Sequence, residues 1–187
     1  MQAFEASSAH YNMNILKEVI LVNESDEVIG SMEKMEAHRK GVLHRAFSIF
    51  IFNNNGDMLL QQRADEKYHS GGLWTNACCS HPSPGKPIEE EAARRLSEEM
   101  GFTTKLQPAF SFIYKSVFEN GLTEHEFDHV FTGIYEGPVH PDAMEVKHWN
   151  YFTMDAIRRM INDDPGKFTA WFRIAFPLLE KYLSNEG

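Results

Sequence analysis

Both cysteines of this 187-residue chain stand side by side, as Cys78 and Cys79, two positions before His81 in the stretch WTNACCSHP over residues 74–82. Three chemistries compete for such a pair: a disulfide, a metal site, or a reactive thiol with a spare neighbour. The plain alternative is two small buried hydrophobes. A bond between adjacent cysteines closes a strained ring far from the usual Cα separation, which disfavours the disulfide. If the stretch is extended, alternation turns Cys79 and His81 to one face and Cys78 to the other. The two thiols then have different surroundings. A thiol works as nucleophile or base only as the thiolate, the form that a nearby cation favours.

The same alternation acts on TEHEFD at 123–128, where Glu124, Glu126 and Asp128 share one face and His125 and Phe127 the other. Carboxylates on one face repel and are costly to bury without a partner. They form either a solvated edge or a seat for a cation. His38, His44 and His81 could supply nitrogen ligands, and three histidines with a carboxylate pair suit Zn²⁺, Mn²⁺ or a related ion. These five residues come from three separate segments, so no local spacing ties them together. His10, His69, His140 and His148 have no role in this reading. Lys34, Arg63, Lys67, Arg94 and Arg95 are candidate phosphate ligands or ordinary surface charges. Glu98 and Glu99 could hold a hard ion such as Mg²⁺, or could form an acidic helix surface.

The elements that must position these groups follow from pattern. Residues 18–23 and 26–31 read as strands, and 31–38 as a helical turn or a loop. Residues 45–52 and 58–63, around the NNNGD turn, predict a hairpin. A glycine-bearing loop at 65–73 leads into the cysteine stretch. Residues 87–101 form the clearest helix: proline opens it, acids crowd its first turn, and glycine ends it. Strands follow at 110–118, 125–133 and 147–152, then helices at 155–161 and 168–182. Strands with inserted helices predict an α/β or α+β domain.

Composition narrows the function classes. A chain of this length fits one domain, residues 1–187, with 1–16 expected to be a flexible arm. The net charge of −9 disfavours a general nucleic-acid or anionic-membrane binder. No apolar run approaches the roughly 20 residues of a membrane span. The first residues lack the basic head and apolar middle of a secretory signal. Two cysteines make no disulfide framework, so a cytoplasmic setting is expected. Oligomeric state is not legible.

Residues 94–102, RRLSEEMGF, resemble the end of a Nudix box, with three departures. Arg95 replaces a glutamate of the box, Lys86 an upstream glutamate, and Ser80 the leading glycine. A pyrophosphohydrolase needs such glutamates to gather its metals, which leaves a diphosphate hydrolase as the runner-up. The departures match one branch of the superfamily, the type I isopentenyl-diphosphate Δ-isomerases. Their hallmarks occur in order: EKMEAH at 33–38, LHRAFS at 43–48, LQQR at 60–63 with Lys67, WTNACCSHP at 74–82, RRLSEE at 94–99, Tyr114, EHE at 124–126, and Trp171. The resemblance spans residues 33 to 171.

The resemblance implies a Nudix-like α/β fold, mixed sheets flanked by helices in an α/β/α sandwich. It implies that His38, His44, His81, Glu124 and Glu126 bind one divalent metal (Zn²⁺, Mn²⁺ or Mg²⁺). Glu99 resembles the carboxylate that holds a second ion, Mg²⁺, arriving with the substrate diphosphate. Lys34, Arg63, Lys67 and Arg95 fall where the family contacts that diphosphate. The implied reaction converts isopentenyl diphosphate to dimethylallyl diphosphate in isoprenoid biosynthesis, by protonation and deprotonation through a tertiary carbocation. In that pattern Glu126, assisted by Tyr114, delivers a proton, Cys79 removes one, and Trp171 faces the cation. Which group is acid and which is base is left open, since the reverse reaction exchanges them.

Overall fold

The computed structural model describes residues 18–67 and 69–185; the expected arm, 1–16, lies outside them. Nine strands form one mixed sheet: β1 (Glu18–Val22), β2 (Val28–Glu33), β3 (His44–Phe52), β4 (Met58–Arg63), β5 (Trp74–Asn76), β6 (Cys78–Ser80), β7 (Leu106–Val117), β8 (Thr123–Ile134) and β9 (Val146–Phe152). Four α-helices accompany them: α1 (Lys34–Lys40), α2 (Ile88–Met100), α3 (Met154–Asp163) and α4 (Ala170–Asn185).

Strand β3 is the hub because its residues are aromatic or branched and buried on both faces. Phe47, Ile49 and Ile51 join Ala92, Leu96 and Met100 of α2 in one core. Phe50 points the other way and joins Trp171, Phe172 and Phe176 of α4 and Ile157 of α3 in a second. The sheet is thus covered by helices on both faces, the α/β layering expected from sequence. Along one edge of β3 runs β8, parallel, from His44 opposite Glu126 to Phe52 opposite Ile134. The other edge is shared in turn by β1 at His44, β6 at Phe47–Ile49 and β4 at Phe52.

That sharing corrects the hairpin. The turn forms, with Asn53 Oδ1 accepting from the amides of Asn55 and Asp57 at 3.0 and 2.8 Å. Yet β3 and β4 pair only at Phe52 and Met58 and then part, because β6 takes the freed edge of β3 while β5 and β9 flank β4. Residues 31–38, left open between helical turn and loop, divide: 31–33 end β2, and 34–40 form a helix capped by Glu33, whose carboxylate accepts from the amides of Met35 and Glu36 at 2.8 Å each. The strands around the 119–122 turn run to twelve residues each, longer than the pattern suggested.

Candidate active site

Alternation in β6 separates the two thiols. Cys78, opposite Ile49, is fully buried in the core beneath α2. Cys79, opposite Ser48, turns to the α4 side and lines a small cavity of about 70 Å³. Cys79 Sγ donates to Asn76 Oδ1 at 3.1 Å and lies 3.4 Å from Ser48 Oγ, whose hydroxyl donates to Asp128 Oδ2 at 2.7 Å. Burial first, and then the Asp128 charge, raise Cys79 well above the ordinary thiol range; the Ser48 and Asn76 hydrogen bonds oppose this but do not reverse it. In the ligand-free chain it is a neutral thiol.

The three histidines come together although α1, β3 and the end of β6 supply them separately. The ligand atoms of His38, His44, His81 and Glu126 all lie within 4.8 Å of one another. His38 stands one helical turn after Lys34, so its Nδ1–H reaches the Lys34 carbonyl at 2.7 Å. His44 Nδ1–H likewise donates to the Val42 carbonyl at 2.8 Å. A carbonyl only accepts, so the neutral form of each ring carries its lone pair on Nε2. His44 Nε2 and His81 Nε2 are 3.2 Å apart, and Glu126 Oε1 lies 3.0 Å from His81 Nε2 and 3.6 Å from His44 Nε2. Two nitrogens bound to one ion at about 2.0–2.1 Å sit roughly 3.3 Å apart in tetrahedral geometry. Backbone carbonyls fixing the outer ring nitrogen are a common support for ligating histidines. Burial lowers His38 and takes His81 down to about 3, so both are neutral at ordinary pH, the form that ligates. The donor set fits a divalent cation.

Glu126 reaches the cluster because the β3–β8 register sets it directly opposite His44. Glu124, two residues earlier on the same buried face, lies outside the group of four. Its Oε2 is 3.1 Å from Tyr114 Oη and its Oε1 is 3.2 Å from His69 Nε2. Tyr114 donates to Glu126 Oε2 at 2.7 Å. Its single proton serves one carboxylate at a time, and the shorter bond goes to Glu126. Burial alone would raise Glu126, but the rings of His44 and His81 beside it outweigh this and hold the carboxyl well below the usual range. Burial and the neighbouring Glu126 push Glu124 up, against the Tyr114 hydrogen bond. The Glu124–Glu126–Asp128 face is therefore a buried wall and no solvated edge.

Cations line another part of the cavity in this acidic chain. Lys34, Arg63, Lys67 and Arg95 all border it, with Glu99 and Glu145 among them. Arg95 pairs with Glu99 and reaches Glu98 at 2.8 Å, while Lys67 pairs with Glu145. Burial raises Glu99 despite the Arg95 charge beside it. Arg94, the other candidate on α2, bonds Glu91 at 2.9 Å and Glu98, and does not line the cavity. Trp171, from the first turn of α4, closes the site, with the Arg63 guanidinium 5.2 Å above its ring centroid.

Every residue that the resemblance assigns to the site borders this cavity except His38 and His44, which stand behind it in the cluster with His81; of the wider candidates, Arg94 and Glu98 do not border it. Several neighbours were missed, Ser80 and Glu145 among them. Ser48 and Asp128 carried a faint signal, since alternation puts Ser48 on the face of His44 and Asp128 on that of Glu126. His69 carried none: it sits in a loop without periodicity. It is 8% exposed, and burial first, with the Arg63 charge next, takes it down to about 3.

Comparison with known proteins agrees with this geometry. A NUDIX domain model matches residues 42–172. An isopentenyl-diphosphate Delta-isomerase of Burkholderia multivorans is 47% identical over 169 residues, covering 88% of this chain and 96% of that protein. Another, from Pectobacterium atrosepticum, is 48% identical over 167 residues, covering 89% and 93%. Among solved structures, the MutT protein of Methanosarcina mazei superposes with a TM-score of 0.62 at 20% identity, over 74% of this chain and 94% of that one, a likeness of fold. The nine-stranded sheet sandwiched by helices is the Nudix fold, and the chain belongs to the isopentenyl-diphosphate Delta-isomerase family.

Proposed function

We propose that the protein interconverts isopentenyl diphosphate and dimethylallyl diphosphate. The observation that carries this is one cavity bordered by a thiol on β6, a carboxylate on β8 and an indole on α4, with four cations around it. Moving the double bond requires adding a proton to the terminal methylene carbon and removing one from C2. An unactivated alkene is a poor base, so acid and base must be close and aimed at different carbons. Strands β6 and β8 lie on the two edges of β3, which suits Cys79 and Glu126 to opposite sides of a bound alkene.

Glu126, oriented by the Tyr114 hydroxyl, and Cys79 are the acid–base pair: once the Cys79 proton has passed to the Glu126 carboxylate, Glu126 delivers a proton to the terminal carbon in the forward direction and the Cys79 thiolate takes one from C2; the reverse direction exchanges the two. Between these transfers the substrate is a tertiary cation. The Trp171 indole faces it, and the position of Arg63 over that ring supports its use as a seat for positive charge. Lys34, Arg63, Lys67 and Arg95 bind the diphosphate, which is a handle and is not cleaved. A divalent cation, Zn²⁺ or Mn²⁺ by the preference of imidazole nitrogen or else Mg²⁺, would be held by His38, His44, His81 and Glu126 with Glu124 beside them, and would supply Lewis acidity that tunes Glu126. Glu99 would take the Mg²⁺ that accompanies the diphosphate.

Incubation with isopentenyl diphosphate in heavy water tests the reading. The expected product is dimethylallyl diphosphate carrying deuterium in a methyl group. Phosphate or pyrophosphate release without an allylic product would establish a hydrolase instead.

A further inference from the structure

His69 is the one buried histidine of the cavity that the mechanism above leaves idle. It comes from the connection between β4 and β5, where residues 70–72 are closely held. A Cβ at Gly71 would stand 2.3 Å from the Asp65 carbonyl oxygen. Ser70 and Gly72 both take positive φ, 53° and 74°. The backbone so held turns the ring inward. Phe118, at the start of the β7–β8 turn, lies flat against it, with centroids 4.7 Å apart and planes at 13°. Trp171 stands perpendicular to it, at 5.8 Å and 82°. Nε2 lies 3.2 Å from Glu124 Oε1, and the main-chain oxygen of His69 accepts from Arg63 Nη2 at 3.5 Å.

We propose that His69 is a positioning residue for the isomerisation, its ring wedged against Trp171 with Phe118 behind it so that the indole keeps one attitude toward the cavity. The proposal rests on the function given above. Helix α4 fixes the Trp171 backbone but leaves the ring two side-chain torsions. A cation gains from the indole only when it sits over the ring face, so a tilted indole loses the attraction without losing the substrate. Phe118 keeps the wedge from swinging outward, and the Glu124 contact adds a second anchor. One residue thereby touches the indole, the arginine above it and the carboxylate beside the acid.

The experiment compares full-length wild type, His69→Ala, His69→Phe and Phe118→Ala by steady-state kinetics with isopentenyl diphosphate, thermal melting and elemental analysis of metal content. His69→Ala is expected to lower kcat at least ~10-fold, with KM, melting temperature and metal content near those of wild type. His69→Phe keeps a ring of the right shape and should recover kcat to within about 3-fold of wild type. Phe118→Ala, which removes the backing from outside, should lower kcat in the same sense, and it carries the test if His69→Ala does not fold. Unchanged kcat in His69→Ala, or in a folded Phe118→Ala, overturns the proposal. So does an equal loss in His69→Phe and His69→Ala, which would assign the role to the ring nitrogens, or a kcat loss that tracks metal content. A wild type without isomerase turnover overturns the functional reading and this inference together; an active wild type beside an indifferent His69→Ala overturns the inference alone.

Discussion

At the scale of residues, two adjacent thiols differ in the face they turn to: Cys78 packs under α2 and Cys79 lines the cavity. Cys79→Ala is expected to lower turnover by ~10²–10⁴-fold, the range for loss of a positioned acid or base. Cys78→Ala should keep substantial activity and lose about 1 kcal/mol of stability, because it removes one atom from the packed core under α2. Parallel turnover and denaturant-midpoint measurements check both, and inactivation of a well-folded Cys78→Ala would mean that the wrong thiol had been assigned. Trp171→Leu should lower kcat about 30-fold with little change in KM, the equivalent of a cation–π contact of about 2 kcal/mol. The separation of the thiols was legible because a period of two acts within three residues. The Ser48–Asp128 bond was not, since it joins side chains eighty positions apart across two strands.

Among elements, the short pieces matter most. Seven-residue α1 presents Lys34 to the cavity and His38 to the histidine–glutamate cluster, and its propensity alone could not distinguish it from a loop. The Glu33 cap decides that question locally. The parallel pairing of β3 and β8 had no local mark at all, yet it aligns His44 with Glu126. His81, at the exit of β6, completes the group, so His81→Ala should lower metal content measured by elemental analysis; wild-type content would remove it from the ligand set. Helix α2 carries its own pH dependence. Hydrogen bonds from Arg94, aided by Ser83, hold Glu91 at about 2, below the ordinary 4.5. The stability this contributes is fully present above about pH 4.5 and is lost as pH falls toward 2. Glu91→Gln should therefore be less stable than wild type at neutral pH, with the gap closing in acid; a gap independent of pH would show that only packing was lost.

For the whole molecule, a net charge of −9 accompanies a cavity edged by Lys34, Arg63, Lys67 and Arg95. No helix among the described residues is long and apolar enough to cross a membrane. Substrate diphosphate must pass a field of its own sign before reaching the cations, so salt acts on both. The short-range attraction inside the cavity dominates binding, and KM is expected to rise severalfold between ~20 and ~200 mM NaCl while kcat stays constant. A kcat that fell with salt would place the effect on the chemical step instead.

The His44–Glu126 pairing also bears on how the chain acquires its fold. The two residues are brought together only when β8 docks along β3, across the whole of β4, β5, β6, α2 and β7. Parallel contacts of such sequence separation are costly in loop closure and form slowly. Metal capture by this cluster is then expected late in folding. In refolding from denaturant, a metal-sensitive signal should trail the recovery of helical circular dichroism, and excess metal should slow unfolding more than it speeds folding.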